Sequence, residues 1–345
     1  MTYPISNPTK SPRLKLHALV ACVFFAGTAP AFSADDAMAA PQDAPHETPA
    51  DLVAGLHTAF GVHHARAVHA KGTILQGTFT PSPEARSLTV ASAFSSGTIP
   101  VTARFSDFTG IPDIPDTTGA ANPRGFAIKL RVPGGSGLDV VTHSFNGFPT
   151  RTSDEFAQLL RAIGASGEGA PKPTDLDRFL ATHPIAVTFL TTQKPPPQSY
   201  ATASYFGVNA FAFVDAKGKR HDVRYRFVPA AGEHWLDDAA LKSSGPDYLQ
   251  TEIASRVASG KISFDWYAQV AQAGDVLDDP SIAWPESRRL VKLGTVTLAS
   301  LEADQAKTDK GLLFLPGQLP KGIEVDDPMI AMRNAAYPIS FGARQ

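Results

Sequence analysis

Residues 66–79 read Arg-Ala-Val-His-Ala-Lys-Gly-Thr-Ile-Leu-Gln-Gly-Thr-Phe. This stretch places one histidine, His69, directly before a β-prone run that begins at Gly72 and is punctuated by glycine. A single histidine at the start of a strand is more often a core residue than a reactive group. The stretch therefore predicts a strand. The role of His69 depends on which residues the other segments of the chain place beside it.

Similar short runs, separated by glycine or proline, recur along the chain. They predict strands at residues 72–79, 87–93, 100–105, 125–132, 205–214, 222–228, 262–270 and 290–298. Helical spacing of apolar residues predicts helices at residues 51–60, 154–163, 175–182 and 248–259. The pattern indicates an α+β fold, an antiparallel β-barrel or strongly curled sheet with inserted and appended helices.

The composition excludes several classes of protein. The 345 residues are 43% hydrophobic, which supplies a core and excludes disorder throughout the chain. The 31 Lys and Arg nearly balance the 33 Asp and Glu, and no run of cations exceeds two residues, so we expect no nucleic-acid partner. The 29 prolines and 27 glycines indicate many turns rather than a helical bundle.

The N-terminal residues have the pattern of a signal peptide. Lys10, Arg13 and Lys15 form a positive segment before the apolar residues 16–26, and small residues near 29–33 suit cleavage. We expect a signal peptide at residues 1–33, a flexible mature N-terminus at 34–50 and a periplasmic or secreted protein. An uncleaved anchor is the alternative, although the apolar segment is short for a membrane span.

The single cysteine, Cys22, lies inside the predicted signal peptide. A mature protein without this segment has no thiol. This excludes disulfides, thiolate catalysis and cysteine-bound metal centres.

Near the C-terminus, Pro328 and Pro338 bracket a predicted helix of about ten residues. Arg333 and Tyr337 are four residues apart and therefore share one face of this helix. Taken alone, such a pair is more often an ordinary packing or cation–π contact. A guanidinium held beside a phenol also stabilises the phenolate form, which is a strong anionic ligand suited to ferric haem iron.

Read together, several motifs resemble the haem catalase superfamily, in its small exported branch of catalase-related peroxidases. They occur in the order expected for that family across about 290 residues: Arg66–Gly72, Arg104–Ser106, Asn122–Ala127, the hairpin Phe206–Pro229, Trp284–Arg288, and Gly322 through Arg333, Tyr337 and Pro338. The resemblance implies that residues 51–345 form a haem-binding catalase barrel core without a C-terminal extension domain.

The resemblance also implies roles for ten residues. Tyr337 corresponds to the proximal ligand of the haem iron, with Arg333 as its charge partner. His69 corresponds to the distal acid–base residue, which is expected to titrate near the ordinary histidine range of about 6 to 7, and Ser106 to the hydroxyl that orients its ring. Three residues match cations that pair with the haem propionates: Arg66, Arg104 and Arg344. Val68 corresponds to a residue that lines the access channel beside the distal histidine, and Phe148 and Phe156 correspond to apolar walls of the site.

The chain departs from the family pattern at one place on the distal side. Large catalases carry a distal asparagine in the segment that aligns with residues 138–148. Here the aligned position is His143 or Ser144, and Asn146 lies a little further on. The identity of the second group that orients peroxide stays open at this point.

The implied function is that of a haem peroxidase of the b type. It would reduce hydrogen peroxide or organic peroxides with a small organic electron donor, with weak catalase activity. Alternatives are a true catalase, an isomerase or lyase acting on fatty-acid hydroperoxides, and a non-catalytic exported carrier of haem or lipophiles. The sequence predicts neither the reductant nor the oligomeric state.

Overall fold

The computed structural model describes residues 46–132 and 137–345. The predicted signal peptide, residues 1–33, and most of the predicted flexible segment 34–50 lie outside these ranges. None of the helices in the described ranges is long and apolar enough to cross a membrane.

Eight antiparallel strands close into a barrel. They are β1 (Gly72–Pro81), β2 (Ile99–Ser106), β3 (Gly125–Leu130), β4 (Leu138–His143), β5 (Tyr205–Val214), β6 (Arg220–Pro229), β7 (Ile262–Val270) and β8 (Leu290–Leu301). The strand order is β4-β3-β2-β1-β8-β7-β6-β5, and β5 returns to β4 where Phe206 pairs with His143. A short strand, β9 (Ile323–Val325), adds to β5. The predicted α+β fold with an antiparallel barrel is confirmed.

Strand β2 shows how the barrel wall separates core from site. Val101, Ala103 and Phe105 are buried in the aromatic-rich barrel core, which also contains Trp266. The alternate residues Arg104 and Ser106 line a cavity outside that core. Because successive side chains of a strand point to opposite faces, one short segment both fills the barrel and supplies polar groups to the cavity.

Eight α-helices occur in the described residues, between and after the strands. They are α1 (Pro49–Phe60), α2 (Ser153–Gly164), α3 (Asp175–Thr182), α4 (Pro184–Thr191), α5 (Asp238–Ser243), α6 (Tyr248–Ser259), α7 (Gln305–Gly311) and α8 (Met329–Gly342). Helix α1 begins two residues before its predicted start because Thr48 and Asp51 form a capping box and Pro49 occupies the first turn. Helix α1 packs against α2 and α8, which places these helices over one side of the barrel.

The strand predicted at residues 87–93 is wrong. The structure has short 3₁₀ helices at Pro83–Ser87 and Ser92–Phe94 instead. Leu88, Ala91 and Ala93 are buried in the barrel core cluster. An irregular segment that packs apolar residues into a core can have the same alternation of apolar and polar residues as a strand. The local sequence therefore does not distinguish such a segment from a strand.

The predicted end of the last helix is also wrong, because α8 continues through Pro338 to Gly342. Proline removes one hydrogen bond of the helix, but the bond from the Ala343 amide to the Ile339 carbonyl restores the pattern at 3.0 Å. The extra turn is fixed by tertiary contacts, since the Ser340 hydroxyl accepts a hydrogen bond from the Ala67 amide at 3.1 Å. This turn carries Arg344 to the cavity.

Candidate active site

One cavity lies beside the outer face of the barrel and under helices α1 and α8, with mostly apolar walls. The structure places all ten residues that the sequence analysis singled out on its lining: Arg66, Val68, His69, Arg104, Ser106, Phe148, Phe156, Arg333, Tyr337 and Arg344. They come from segments up to 278 residues apart in a chain of 345. The fold therefore assembles the predicted groups in one place.

The distal pair is a histidine and a serine. Ser106 is the last residue of β2, and its Oγ lies 3.0 Å from Nδ1 of His69. With Nδ1 occupied by the hydroxyl, Nε2 is the ring nitrogen left for a molecule in the cavity. Phe108 packs its ring edge-on against the imidazole, with ring centres 5.6 Å apart. The ring of His69 is thus fixed on two sides.

The backbone of His69 has a left-handed conformation, with φ of +57°. Few residues other than glycine adopt this conformation, and it costs free energy that surrounding contacts must offset. The His69 amide donates to the Phe108 carbonyl at 2.9 Å, and Arg104 donates to the His69 carbonyl at 2.9 Å. These contacts hold the histidine in a strained geometry of the kind found at functional sites.

Burial lowers the pKa of His69 to about 3, and the nearby His143 and Arg104 act in the same direction. The expectation of a titration near 6 to 7 is therefore wrong for this residue. The sequence did not indicate how deeply the ring is buried. At neutral pH, His69 is an uncharged imidazole that can accept a proton without first losing one.

On α8, Arg333 and Tyr337 form the second pair. The Nε and Nη2 atoms of Arg333 donate to the Tyr337 hydroxyl oxygen at 3.0 and 2.7 Å. Nη1 of Arg333 donates to Oδ1 of Asn209, and Asn209 donates in turn to the Asp327 carboxylate at 2.8 Å. Two donors from one guanidinium therefore converge on the phenolic oxygen and fix its position.

The sequence did not indicate a role in the site for Asn209 or Asp327. Asp327 stands in the quoted segment before α8, but Asn209 is on β5, more than a hundred residues away. Both are buried, and Asp327 also accepts a hydrogen bond from the amide of Met329, the first residue of α8, at 2.9 Å. This chain of contacts orients Arg333 toward Tyr337.

The cationic end of the cavity is lined by Arg66, Arg104 and Arg344. Asp309 of α7 is not one of the lining residues but is bonded to two of these arginines. Nε of Arg104 and Nη2 of Arg66 donate to the same oxygen of Asp309 at 2.6 and 3.2 Å. Arg344 donates to the Leu312 carbonyl at 2.7 Å. Three guanidinium groups and one carboxylate leave a net charge of two positive units, which matches the two carboxylates of a haem.

The protonation of this cluster follows from its surroundings. Burial and the charge of Arg104 lower the pKa of Arg66 to about 9. Burial opposes ionisation of Asp309, but Arg104 and Arg66 outweigh it and lower the pKa of its carboxyl. Arg66 lacks enough nearby negative charge to offset the burial of its own charge. A cluster of this kind favours the binding of an anion.

Phe148 and Phe156 stack at an angle, with ring centres 4.9 Å apart, and Val68 and Phe156 join a small cluster with α1 residues. These side chains are only partly buried by protein and form the apolar wall of the cavity. Phe189, which the sequence analysis did not single out, lies against Phe148, Phe108 and His143.

Haem fits the residues present. A flat apolar ring suits the aromatic walls, its two carboxylates suit the arginine cluster, and the Arg333-bound Tyr337 is an oxygen ligand for ferric iron. Tyr337 would hold the iron, and Arg66, Arg104 and Arg344 would hold the carboxylates.

The structure distinguishes the three candidates for the second distal group, which are His143, Ser144 and Asn146. His143 lines the cavity, whereas Ser144 and Asn146 do not. The Ser144 hydroxyl accepts from the Arg124 amide at 2.9 Å. Of the three, only His143 is in a position to meet a molecule in the cavity.

Comparison with known proteins agrees with this geometry. The family model described as "Catalase" matches residues 63–344. A catalase-related peroxidase of Synechococcus elongatus is 33% identical over 303 residues, covering 86% of this chain and 88% of that protein. A catalase-related peroxidase of Mycolicibacterium paratuberculosis is 36% identical over 283 residues, covering 81% and 88%.

Solved structures give the same fold. Catalase A from Saccharomyces cerevisiae superposes with a TM-score of 0.72 at 21% identity, covering 81% of this chain and 61% of that one. A bacterial catalase gives 0.72 at 22% identity, with coverages of 81% and 57%. This chain thus spans about six-tenths of the length of these solved catalases. The match to the family model and to two relatives along most of their length shows that the chain belongs to the catalase family, in the branch of the catalase-related peroxidases.

Proposed function

We propose that this chain reduces hydrogen peroxide or organic peroxides with a small organic electron donor, using haem, and has weak catalase activity. Its family makes it an oxidoreductase that acts on peroxide. One observation carries the proposal: a neutral His69–Ser106 pair, an arginine-bound Tyr337 and a cationic cluster line the same apolar cavity. A carrier of haem would need the last two features but not the first.

When bound, haem supplies the iron centre at which peroxide is reduced and which the donor then returns to its resting state. We propose ferric protoporphyrin IX of the b type, held without covalent bonds. The chain contains one cysteine, Cys22, and therefore lacks the Cys-x-x-Cys-His motif that attaches haem covalently.

The protein's own contribution is proton transfer and positioning. Nε2 of His69 accepts the proton of the incoming peroxide and returns it to the other peroxide oxygen, which leaves as water from hydrogen peroxide or as an alcohol from an organic peroxide. Ser106 holds Nδ1 and so keeps the ring in the orientation that this transfer needs. A positioned acid–base group of this kind contributes a factor of about 10² to 10⁴ to the rate.

The test uses the purified haem-loaded protein. Hydrogen peroxide and cumene hydroperoxide are each supplied with and without guaiacol, and peroxide consumption is followed together with donor oxidation. We expect donor-dependent consumption of both peroxides. Consumption of hydrogen peroxide at the same rate without a donor would instead indicate a true catalase, and a protein inert to both peroxides would indicate a carrier.

A pair of histidine variants makes this test specific. His69→Ala should keep its haem and lose at least about 10²-fold in the rate of reaction with peroxide. His234→Ala is the matched control, because His234 is exposed and its Nε2 contacts only the Ala231 carbonyl. Equal rates for the wild type and His69→Ala would contradict the assignment of the distal base.

We also propose that the protein is exported and acts in the periplasm or outside the cell. The support is the sequence of residues 1–33, with its cationic start and apolar centre.

A further inference from the structure

Tyr200 is a buried tyrosine whose hydroxyl contacts a carboxylate. It begins the short 3₁₀ helix Tyr200–Thr202, it is fully buried, and its hydroxyl donates to Oδ1 of Asp107 at 2.9 Å. The side chain of Asp107 is also fully buried, and it is ion-paired with the buried Arg124. None of these residues takes part in the proton transfer described above.

Stacked rings connect Tyr200 with the wall of the cavity. Tyr200 stacks on Phe105, with ring centres 5.3 Å apart and planes 8° from parallel, and Phe105 stacks on Phe126 at 4.8 Å and 17°. Phe105 precedes Ser106 in β2, and Phe126 follows Gly125 in β3. Because Ser106 and Gly125 line the cavity, one layer of backbone separates the stacked rings from it. An electron that leaves Tyr200 therefore has a short route through aromatic rings to the cavity.

Asp107 is placed to take the proton of Tyr200. Burial and the charge of Asp107 raise the pKa of Tyr200 well above its usual range, so the phenol is protonated at rest. A phenol that loses an electron becomes a strong acid, and its proton passes to the base that already accepts its hydrogen bond. Burial and the charge of Asp107 also raise the pKa of the neighbouring Asp116 to about 6. Two buried carboxylates that repel each other are stabilised when either one is protonated.

The other oxidisable rings packed in the barrel core have no carboxylate at this position. Tyr205 lies against the same two phenylalanines as Tyr200 does. Its hydroxyl donates to the Tyr200 carbonyl at 2.8 Å, and an amide carbonyl is a much weaker base than a carboxylate. The Tyr225 hydroxyl and Nε1 of Trp266 are buried without a hydrogen-bond partner among the described residues. Of these four rings, Tyr200 is the one placed to lose an electron and a proton together.

We propose that Tyr200 is an internal one-electron donor, which reduces the haem after its reaction with peroxide when no organic donor is bound. The inference rests on the proposed function. The O–H bond of Tyr200 breaks, its electron passes to the haem and its proton to Asp107, which leaves a neutral tyrosyl radical beside a carboxylic acid. An electron from the organic donor and the proton held by Asp107 later restore the phenol. The oxidising equivalent is meanwhile held in the barrel core, away from the side chains that line the cavity.

The first measurement looks for the radical in the haem-loaded wild type. The protein is mixed with hydrogen peroxide in the absence of a donor, frozen rapidly and observed by electron paramagnetic resonance. We expect a narrow organic radical signal, whose shape changes when the protein is made with ring-deuterated tyrosine. Guaiacol added before freezing should remove the signal. A wild type that consumes peroxide but forms no tyrosyl radical overturns the proposal.

Two matched variants assign the radical to one tyrosine. Tyr200→Phe keeps the stacked ring and removes the hydroxyl, so the signal should be lost. Tyr205→Phe removes a buried hydroxyl beside the same phenylalanines, and the signal should remain. Neither residue lines the cavity, so both variants should bind haem as the wild type does. A signal that survives in Tyr200→Phe overturns the proposal.

A second measurement on the wild type identifies the proton acceptor. In high-field spectra, the g values of a tyrosyl radical show whether its oxygen accepts a hydrogen bond. Proton transfer to Asp107 predicts such a bond, donated by the new carboxylic acid to the Tyr200 oxygen. A radical without this hydrogen bond overturns the pairing of Tyr200 with Asp107. If Tyr200→Phe fails to fold, this result decides, because the Tyr205 oxygen contacts a backbone carbonyl instead.

These measurements separate this inference from the proposed function. A wild type that oxidises guaiacol with peroxide, but forms no radical on Tyr200 when guaiacol is absent, refutes the internal donor and leaves the peroxidase intact. A wild type that does not react with peroxide refutes the peroxidase and the internal donor together.

Discussion

The imidazole of His69 occupies the space that a side chain would need at residue 125. A Cβ atom added to Gly125 would lie 2.8 Å from Nδ1 of His69 and 2.4 Å from Oγ of Ser106. Both distances are shorter than real contacts of a Cβ. The glycine in the Asn-Pro-Arg-Gly-Phe-Ala motif therefore leaves room for the distal pair.

Gly125→Ala should displace His69 and Ser106 while leaving Tyr337 and the arginine cluster in place. We expect haem to be retained and the rate of reaction with peroxide to fall by about 10²-fold, because a shift of about 1 Å in a catalytic group costs that much. Stopped-flow absorbance of the haem after mixing with peroxide measures the effect. Gly119→Ala is the control, since a Cβ there meets nothing within 4 Å. A Gly125→Ala rate equal to that of the control would refute the steric role.

Arg104 connects cofactor binding to the conformation of His69, because it donates to the carbonyls of His69 and Ala70 at 2.9 Å each. Arg104→Met should therefore weaken haem binding and also slow the reaction of each bound haem with peroxide. Arg344 donates to the Leu312 carbonyl and lies over the Phe341 ring, but it makes no hydrogen bond to His69 among the described residues, so Arg344→Met should show mainly the first effect. Haem titration and the rate per bound haem measure the two effects. If both variants lost the same factor in the rate per bound haem, Arg104 would have no effect on His69 beyond its effect on haem binding.

Tyr337→Phe removes the oxygen that would bind iron but keeps the ring that packs in the cavity. We expect loss of haem or a shifted Soret band, with peroxidase activity near background. Arg333→Ala should act in the same direction but less strongly, because it removes the two hydrogen bonds that position the Tyr337 oxygen and leaves the oxygen itself. Tyr267→Phe, outside the cavity, is the control. A Tyr337→Phe protein with the wild-type spectrum would exclude Tyr337 as the iron ligand.

Two half-buried histidines, each with a lowered pKa, should make the fold sensitive to acid. Burial lowers the pKa of His69 and of His143 to about 3. The pKa of a histidine in an unfolded chain is about 6.5. As pH falls below the unfolded value, the unfolded chain binds protons that the folded chain does not. Stability is therefore lost from about pH 6.5 downward, by up to about 1.4 kcal/mol per pH unit for each ring.

His143→Phe isolates one of these contributions. Urea unfolding at pH 7.0, 6.0 and 5.0 should show a smaller loss of stability on acidification than in the wild type, by up to about 1.4 kcal/mol per pH unit near pH 5. His234→Phe, which changes an exposed histidine outside the cavity, is the control. If the stability of His143→Phe falls with pH as steeply as that of the wild type, the His143 ring of the wild type is already charged in the folded protein.

Export predicts a processed N-terminus. Intact mass and N-terminal sequencing of the protein from a periplasmic or secreted fraction should show a start between about residues 32 and 40. Replacing Lys10, Arg13 and Lys15 with glutamine should lower the exported fraction. A protein found in the cytosol with Met1 and Cys22 intact would refute the proposal.

Local patterns in the sequence predicted most of the strands and helices. Residues 175–182, 248–259 and 262–270 have the predicted limits, because capping residues and alternating burial mark their ends locally. The two wrong predictions, at 87–93 and at the end of α8, both concern segments whose form depends on what they pack against. Local pattern does not contain that information.

The sequence by itself determined the types of chemical group available, their order, and the pairing of Arg333 with Tyr337, since four residues along a helix fix which side chains meet. The tertiary structure alone decided three things: the left-handed backbone of His69, the neutral state of His69 and His143, and the place of Asp309 between Arg66 and Arg104. Each depends on burial and on contacts between residues distant in the chain. Burial sets the local polarity and the available partners, and it exists only once the barrel has closed.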